Sequence, residues 1–591
     1  MNRHQFLKHT LGLGAGMLIS PLFGYSLDGI WSIRSRDVPF WDAMVAANDR
    51  HVAALMAEGD RANRHGGRSY GYNFAIVAAS FACPDSQFFR DGRLLPLFEH
   101  SVAQLKRNQR PDGTINAGNL ESPPDTAFIM EPLCAGIYIL MGLADGRLAA
   151  ILAEAKPFVL KAGDAMLTGG VHTPNHRWVV CHALARINQL YPDPAYVRRI
   201  DEWLAEGIFL DEDGHYPERS MNYSDVENNA FITLGRLLER PSLFAAPRKS
   251  LEMTYYYMEP NGDLVTFDSR RQDQYGSRSV VVQYLHYRFL AVVGGDGKFA
   301  AIARQIEGFQ GFDRIILGEA LFYFMENPQL RKPLPPDEPV STDFERIFAS
   351  SSLVRIRRGD TTVTLFGGVD WPLIIASGRS VSPNFFSYRK GKAILRYMRL
   401  SPAFFSMGYF RSEGLWVEGN TYVLYQKLEA PYYQPLPDSL KNTAGDYELT
   451  PSVDGRFWSK MAFPARPVSN VKTLETTISL REDQGEVRLE FEVSGLEGVA
   501  VTIEMNFDER GTITGLEPAD REGENYFLAE GEAVYELGGD RITFGPGLKE
   551  HERIRSLDGE QYSVHFGSLR TEGTHVYITG VCPFHHVLMF S

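Results

Sequence analysis

The segment that begins at Thr173 places an amide, an imidazole, a guanidinium and an indole next to one another. It reads Thr173-Pro-Asn-His-Arg-Trp178 and is followed by the apolar-periodic run Val179–Leu184. Because proline suits the first turn of a helix, this segment predicts a helix start. Free backbone N–H groups and the positive end of the helix dipole favour anions there, and a sugar carboxylate is such an anion. Taken alone, the segment is equally typical of an ordinary capped helix with a surface histidine.

The elements that would position these residues are helical. From about residue 38 to residue 330, apolar residues recur at intervals of three and four, between loops rich in Gly, Pro, Asn and Asp. The predicted helices are Trp41–Ala57, Leu94–Leu105, Ala127–Leu143, Leu148–Met166, Trp178–Leu190, Tyr196–Glu206, Ala230–Leu238, Val280–Val293 and Phe299–Phe309. Helices in pairs, with polar loops recurring at one side, predict an α/α toroid whose loops line a cleft at one end.

A change of period marks the second half of the chain. The proline-dense segment 331–345 is expected to be a semi-rigid linker. Beyond it, apolar and polar residues alternate between turn signals, which is typical of strands with one buried face. The sequence therefore predicts a multi-domain chain: an (α/α) toroid over 28–330, forming an incomplete barrel, and an antiparallel β-sandwich over 346–591.

Length, charge and the N-terminus limit the classes of function. A chain of 591 residues exceeds one hydrophobic core, and a net charge of −13 without any Lys/Arg-rich run argues against nucleic acid as a partner. The first 27 residues combine Arg3 and Lys8 with a short apolar run, Leu11–Ile19. That pattern predicts an export signal that is too short to span a bilayer, and hence a periplasmic or extracellular protein without stable membrane insertion.

The cysteines do not predict a metal site. Cys83, Cys134, Cys181 and Cys582 occur singly and mostly within apolar runs. Their spacing matches neither a zinc pattern nor a disulfide framework, so buried free thiols are expected, with one disulfide as the alternative.

Signal, helical toroid and antiparallel β domain, in that order, resemble the heparinase II/III-like polysaccharide lyases. The Asn175-His176 pair, followed by Asp213-Gly-His-Tyr-Pro-Glu-Arg-Ser-Met-Asn-Tyr223, resembles the motif pair of that family. There, an Asn-His dipeptide opens a helix, and the next loop carries an Asp-Gly turn and a catalytic tyrosine. Pro260–Asp263 with Asp268–Arg271 resembles a further loop at the cleft rim. The resemblance implies cleavage of an acidic polysaccharide by β-elimination.

That reaction explains the residue types. The enzyme removes the proton alpha to a uronate carboxylate, whose charge hydrogen-bond donors must neutralise, and then expels the 4-linked oxygen. Asn175 supplies two N–H donors without a titrating group, and His176 is a base or a donor near neutral pH. Tyr223 protonates the leaving oxygen or, beside a cation, acts as the base.

Further side chains are candidates for substrate binding, each with a structural alternative. Arg219, Arg270 and Arg271 can hold carboxylates through forked hydrogen bonds, or they form surface ion pairs with neighbouring acids. Asn116 and Asp125 lie on loops expected to face the cleft, although Asp125 is equally a candidate helix cap.

Two aromatic residues complete the set, and one of them marks a departure from the family. Trp178 is a sugar-stacking platform or a core residue. Many relatives carry a His-rich motif at the start of the β domain, whereas this chain has no histidine between His286 and His551. In those relatives the motif supplies a second catalytic histidine. In this chain that role is absent, or it is taken by a residue of the stretch at the corresponding position, namely Arg379, Asn384 or Tyr388. No metal or cofactor is predicted.

Two other functions are open at this point. A glycoside hydrolase on a similar toroid would use paired carboxylates, with candidates in Glu121, Asp125, Glu218, Asp225 and Glu227. A non-catalytic glycan-binding protein would have kept the cleft but would not catalyse a reaction on the glycan.

Overall fold

The computed structural model describes residues 38–58, 67–372, 378–452, 458–519, 525–554 and 573–591. The chain divides into two compact units. The helical unit comprises the described residues up to Leu264 together with Arg278–Val340, and the β unit comprises Val265–Ser277 together with Ser341–Ser591. The predicted export signal lies outside the described residues. Within them, no helix has both the length and the apolar character needed to cross a bilayer.

The helical unit is built from helices joined by loops of very different lengths. Its α-helices are α1 (Trp41–Glu58), α2 (Gly67–Ala82), α3 (Leu95–Asn108), α4 (Pro123–Met141), α5 (Ala149–Thr168), α6 (Pro174–Leu190), α7 (Pro194–Leu204), α8 (Met221–Leu237), α9 (Ala245–Tyr257), α10 (Tyr284–Gly294), α11 (Gly297–Glu307), α12 (Leu321–Glu326) and α13 (Pro328–Arg331). Two short strands, β1 (Asp263–Leu264) and β2 (Arg278–Ser279), pair with each other.

Four of these helices are absent from the sequence prediction: α2, α9 and the short helices α12 and α13. Helix α2 is buried on nearly every face from Phe74 to Ala82, so its sequence lacks the polar stripe that makes a helical period visible. Helix α9 contains Pro247 and ends in Tyr255-Tyr-Tyr257, which are poor helix signals by themselves. Burial against neighbouring helices overrides these local preferences.

Alternate helices of the unit begin at one end, and contacts between their first turns run from one helix to the next. At the start of α2, Arg68 forms an ion pair with Asp125 of α4, and its guanidinium carbon lies 4.5 Å from the ring centre of Phe128. The Phe128 ring lies 6.5 Å from that of His176 at the start of α6. Asn175 of α6 contacts Glu218, which precedes α8. The starts of α2, α4, α6 and α8 thus form one row.

The segment predicted as a linker is held against the helical unit in its first part. Arg304 of α11 donates to the carbonyls of Leu334 and Pro335 at 3.3 and 3.1 Å, and the Glu338 N–H donates to Gly297 O at 3.0 Å. The division between the two units falls at Val340, inside that segment.

Among the described residues, the β unit contains two large sheets. Its strands are β3 (Asp343–Phe348), β4 (Leu353–Arg358), β5 (Thr361–Phe366), β6 (Phe386–Lys390), β7 (Ala393–Pro402), β8 (Leu415–Glu418), β9 (Thr421–Tyr433), β10 (Thr450–Pro451), β11 (Trp458–Ser459), β12 (Val468–Asp483), β13 (Glu486–Gly495), β14 (Ala500–Phe507), β15 (Thr512–Thr514), β16 (Glu517–Pro518), β17 (Asn525–Phe527), β18 (Ala533–Leu537), β19 (Asp540–Gly545), β20 (Thr574–Val581) and β21 (Phe584–Phe590). The sheet orders are β15-β18-β19-β21-β13-β12-β9-β8 and β16-β17-β20-β14-β7-β6-β5-β4-β3.

One apolar core holds the two sheets together, as expected for a sandwich. Val501, Ile503 and Met505 alternate on one face of β14 and share this core with Leu489 and Phe491 of β13 in the other sheet. The predicted order of helical unit and antiparallel β unit is confirmed. One detail is wrong: β17 pairs with β20 in parallel, because β17 joins from a distant part of the chain and no hairpin fixes its direction.

A buried charge cluster ties α4, α6 and α12 together. Arg186 is 0% exposed; it donates to Glu131 at 2.9 Å and forms an ion pair with Glu326. Tyr323 donates to the other oxygen of Glu131 at 3.1 Å. Burial raises the pKa of Glu326 to about 7, although Arg186 opposes the rise. The two carboxyl groups therefore share the Arg186 guanidinium as a counter-charge.

We expect Arg186→Met to destabilise the protein by about 3–5 kcal/mol, because both carboxyl groups lose their shared counter-charge in a buried site. Urea denaturation followed by helical circular dichroism measures the change. Arg304→Met is the matched control, since the Arg304–Asp337 pair is solvent-exposed and should contribute about 1 kcal/mol or less. Equal effects of the two substitutions would contradict this assignment.

Candidate active site

The start of α6 is joined to the loop before α8 by a buried hydrogen bond. Asn175 is 0% exposed, and its Nδ2 donates to both carboxylate oxygens of Glu218, at 3.0 and 2.9 Å. Thr173 caps the helix in extended conformation and Pro174 occupies its first turn, as the sequence predicts. The amide donors that the sequence assigned to a substrate carboxylate therefore face a protein carboxylate.

The loop that carries Glu218 has a rigid base. Asp211 accepts hydrogen bonds from the N–H groups of Gly214 and His215, both at 2.8 Å. A side chain at Gly214 would lie 2.8 Å from the Lys249 carbonyl, and its φ of 111° is left-handed, so the position requires glycine. The loop ends at Ser220, whose hydroxyl accepts from the Tyr223 N–H at 3.3 Å and caps α8.

His215 has a structural place in this loop. Its Nδ1 lies 3.0 Å from Asp211 Oδ2, and its Nε2 lies 2.8 Å from the Tyr257 hydroxyl of α9. Ligand atoms of Asp211, Asp213 and His215 lie within 4.8 Å of one another, which is a spacing that could hold a cation. Because both ring nitrogens of His215 already face protein groups, the imidazole serves as a clamp between the loop and α9.

His176 and Tyr223 lie in the first turns of neighbouring helices. His176 is 8% exposed, and its ring meets that of His172 edge to face, with centroids 4.7 Å apart. Tyr223 is half-buried, three residues after the Ser220 cap. The Asn175–Glu218 contact connects these two turns, so the sequence segments that carry the two side chains are held side by side.

The loop before α4 is organised around Asp125, which is 3% exposed. Its carboxylate accepts from the Asn119 backbone and side chain at 3.1 and 2.8 Å and pairs with Arg68. Burial by itself would raise the pKa of Asp125, but Arg68 and these hydrogen bonds outweigh it and lower the pKa. The helix cap is Ser122, not Asp125. Asp125 thus shapes the loop and positions Arg68. No pattern in the sequence had identified Arg68 as a candidate.

Three other predicted binding residues, Asn116, Arg219 and Trp178, lie in different environments. Asn116 accepts from the Glu121 N–H at 2.7 Å and closes its own loop. Arg219 has a left-handed φ of 49° and is half-buried at the end of the loop before α8. Trp178 is 2% exposed and packs 4.8 Å from the ring of Phe231, so the stacking prediction is wrong and the core role is correct.

The remaining candidates belong to the β unit. Arg270 donates to both oxygens of Asp370 at 2.9 Å each, a partner that lies far away in sequence. The Arg271 N–H donates to Ser269 Oγ, and the Arg271 carbonyl accepts from Gln274 Nε2. Tyr388 is 1% exposed and donates to Gly485 O at 2.8 Å, and burial raises the pKa of its hydroxyl. The substrate-binding prediction for Tyr388 is therefore wrong, because its strand position faces the sandwich core.

A polar cluster of the β unit does contain an imidazole that the sequence analysis missed. Asn384 accepts from Arg399 Nε at 2.7 Å, and Arg399 pairs with Glu504 at 3.5 Å. His575 lies 3.7 Å from Glu504 and 3.2 Å from the Tyr397 hydroxyl. The pairing of β20 with β14 and of β14 with β7 brings these residues together. No local sequence motif predicts this cluster.

Glu227 lies one turn beyond Tyr223 on α8 and is 0% exposed. Its carboxyl oxygens have no hydrogen-bond partner among the described residues. Burial raises the pKa of Glu227 well above its usual range, and the negative charge of Glu218 raises it further. The neighbouring Glu218 carboxylate is the acceptor for the Asn175 amide.

We expect Glu227→Gln to flatten the pH dependence of stability. The folded state holds the Glu227 proton more tightly than the unfolded state does, so the stability from this group is complete below the ordinary pKa and falls as pH rises through the folded pKa. Glutamine removes that loss. The drop in melting temperature between about pH 5 and pH 8 should be smaller in the variant than in wild type. Parallel curves for the two proteins would contradict a raised pKa of Glu227 in the folded state.

Solved structures of two polysaccharide lyases share the fold of this chain. The chondroitin AC lyase of Streptomyces coelicolor A3, solved with chondroitin sulphate, aligns over 100% of this chain and 82% of its own, at 15% identity and a TM-score of 0.54. Heparinase III aligns over 88% and 75%, at 11% identity and a TM-score of 0.50. No protein-family model matches the sequence, and a search of curated proteins finds no relative. The predicted resemblance is confirmed at the level of fold: the chain has the α/α toroid and β domain of polysaccharide lyases.

Proposed function

We propose that this protein is an exported polysaccharide lyase, periplasmic or extracellular, which cleaves a uronic-acid-containing glycan by β-elimination and leaves a 4,5-unsaturated uronate end. The observation that carries the proposal is the buried contact of Asn175 with Glu218. It holds His176 and Tyr223 in the first turns of neighbouring helices, on a fold shared with polysaccharide lyases.

The charge distribution of this end of the helical unit supports an anionic sugar. The starts of α2, α4, α6 and α8 form one row, and each contributes free N–H groups and the positive end of a helix dipole. Arg68 and Arg219, both partly exposed, add guanidinium groups there. These groups would attract an acidic glycan although the chain carries a net charge of −13.

In the proposed reaction, Tyr223 and an imidazole beside the first turn of α6 transfer the protons. One removes the proton alpha to the carboxylate, and the other protonates the departing 4-linked oxygen. Because Asn175 is buried and its donors face Glu218, we assign it a positioning role. Neutralisation of the substrate carboxylate then falls to the arginines and the helix starts.

Hydrolysis by paired carboxylates has less support. Asp225 is buried against His286 at 2.8 Å, and Glu227 is 0% exposed. Asp125 is paired with Arg68, and Glu218 accepts from Asn175. Of the predicted candidates, only Glu121 is exposed, so these residues do not supply two open carboxylates flanking a glycosidic bond.

One assay separates the three functions. Incubation with a panel of uronic-acid glycans should raise the ultraviolet absorbance of an unsaturated product. New reducing ends without that absorbance would indicate hydrolysis, and binding without either would indicate a glycan-binding protein. Tyr223→Phe removes one hydroxyl and should lower kcat about 100-fold or more, with the melting temperature retained. Full activity of both Tyr223→Phe and His176→Ala would contradict the site assignment.

A double-mutant cycle tests the positioning role of Asn175. Asn175→Ala and Glu218→Ala should each lower kcat, and the double variant should lose no more than the worse single variant, because both act through one contact. Glu206→Ala is the matched control, since Glu206 is an exposed carboxylate that pairs with Arg177. Additive losses in the cycle would show that Asn175 acts independently of Glu218.

A further inference from the structure

A second imidazole stands beside His176. His172 lies on the segment that joins α5 to α6, and its side chain is exposed. Its ring is perpendicular to that of His176, with centroids 4.7 Å apart. His176 is 8% exposed and has Phe128 on another side, at 6.5 Å between ring centres. Of the two imidazoles, His172 is therefore the one that a polymer in solvent can reach.

The segment that carries His172 is held at both ends. The Gly169 N–H donates to Ala165 O at 2.8 Å, and Gly169 O accepts from Arg199 at 3.2 Å. A side chain at Gly169 would lie 2.4 Å from Pro123, so the segment packs closely on the start of α4. At the other end, the His176 N–H donates to Thr173 O at 3.2 Å. These contacts fix the backbone on either side of His172.

The base of an elimination must reach the proton on the sugar with a ring nitrogen that is open to solvent. Of the two imidazoles, only His172 is exposed, and its edge-to-face contact with the buried His176 holds its ring in place.

We propose that His172 is the residue that removes the proton from the sugar, and that His176 positions its ring from behind; this proposal rests on the proposed function. His172 takes the proton alpha to the carboxylate, and the electrons of that C–H bond form the C4–C5 double bond. The C4–O4 bond breaks with its electrons on O4, and Tyr223 gives its hydroxyl proton to O4. The proton on His172 then returns to the tyrosinate through solvent, which restores both groups.

The test is chemical rescue. His172→Ala should lower kcat about 100-fold or more with little change in KM, and added imidazole should restore a measurable part of kcat because the vacated position is open to solvent. His176→Ala should not be rescued, since its site is buried. His585→Gln is the matched control: it removes an exposed histidine of the β unit and should leave kcat unchanged.

The outcomes distinguish the two proposals. Wild-type protein that produces no unsaturated ends from any glycan removes the proposed function, and the role of His172 with it. Active wild-type protein with a fully active His172→Ala overturns the role of His172 and leaves the lyase proposal standing. A loss of kcat that imidazole restores for His176→Ala, and not for His172→Ala, also overturns it by assigning the base to His176.

Discussion

The site depends on one hydrogen-bonded contact, between the amide of Asn175 and the carboxylate of Glu218. Both groups are buried, so each would carry a large desolvation cost without the other. Their pairing joins the first turn of α6 to the loop that leads into α8. His176 follows Asn175 directly, and Tyr223 lies five residues after Glu218. The single contact between Asn175 and Glu218 therefore holds the segments of His176 and Tyr223 next to each other.

The surroundings of this contact show how the helical unit manages buried charge. Glu227 lies near Glu218, and burial together with the charge of Glu218 raises the pKa of Glu227 well above its usual range. Deeper in the unit, Arg186 serves both Glu131 and Glu326. Toward the helix starts, Asp125 engages Arg68 without covering it fully. The buried carboxylates of Glu131, Glu326 and Asp125 thus each contact an arginine.

The fold makes this arrangement possible because alternate helices run in the same direction. Their first turns, with free N–H groups and polar caps such as Ser122 and Ser220, then meet at one end. Loops before each helix bring in side chains that are distant in sequence. The loops before α4 and α8 are long, and contacts such as Asn175–Glu218 and Arg68–Asp125 hold the helix starts together.

Local patterns in the sequence determined the architecture and the pair of motifs around Asn175 and Tyr223. The helical period and the later alternation of apolar residues follow from which face of each element is buried, and that information is local. Helix α2 escaped prediction because it is buried all round, and Trp178 and Tyr388 were misassigned because a residue type does not state which way it faces. Only the tertiary structure decided that Glu218 holds Asn175, that Arg68 meets Asp125, that His172 stands against His176, and that His575 joins Glu504. His172 and His176 are only four residues apart, and the turn before α6 brings their rings together. The other three contacts join segments whose separation along the chain carries no signal, since packing and sheet register bring them together.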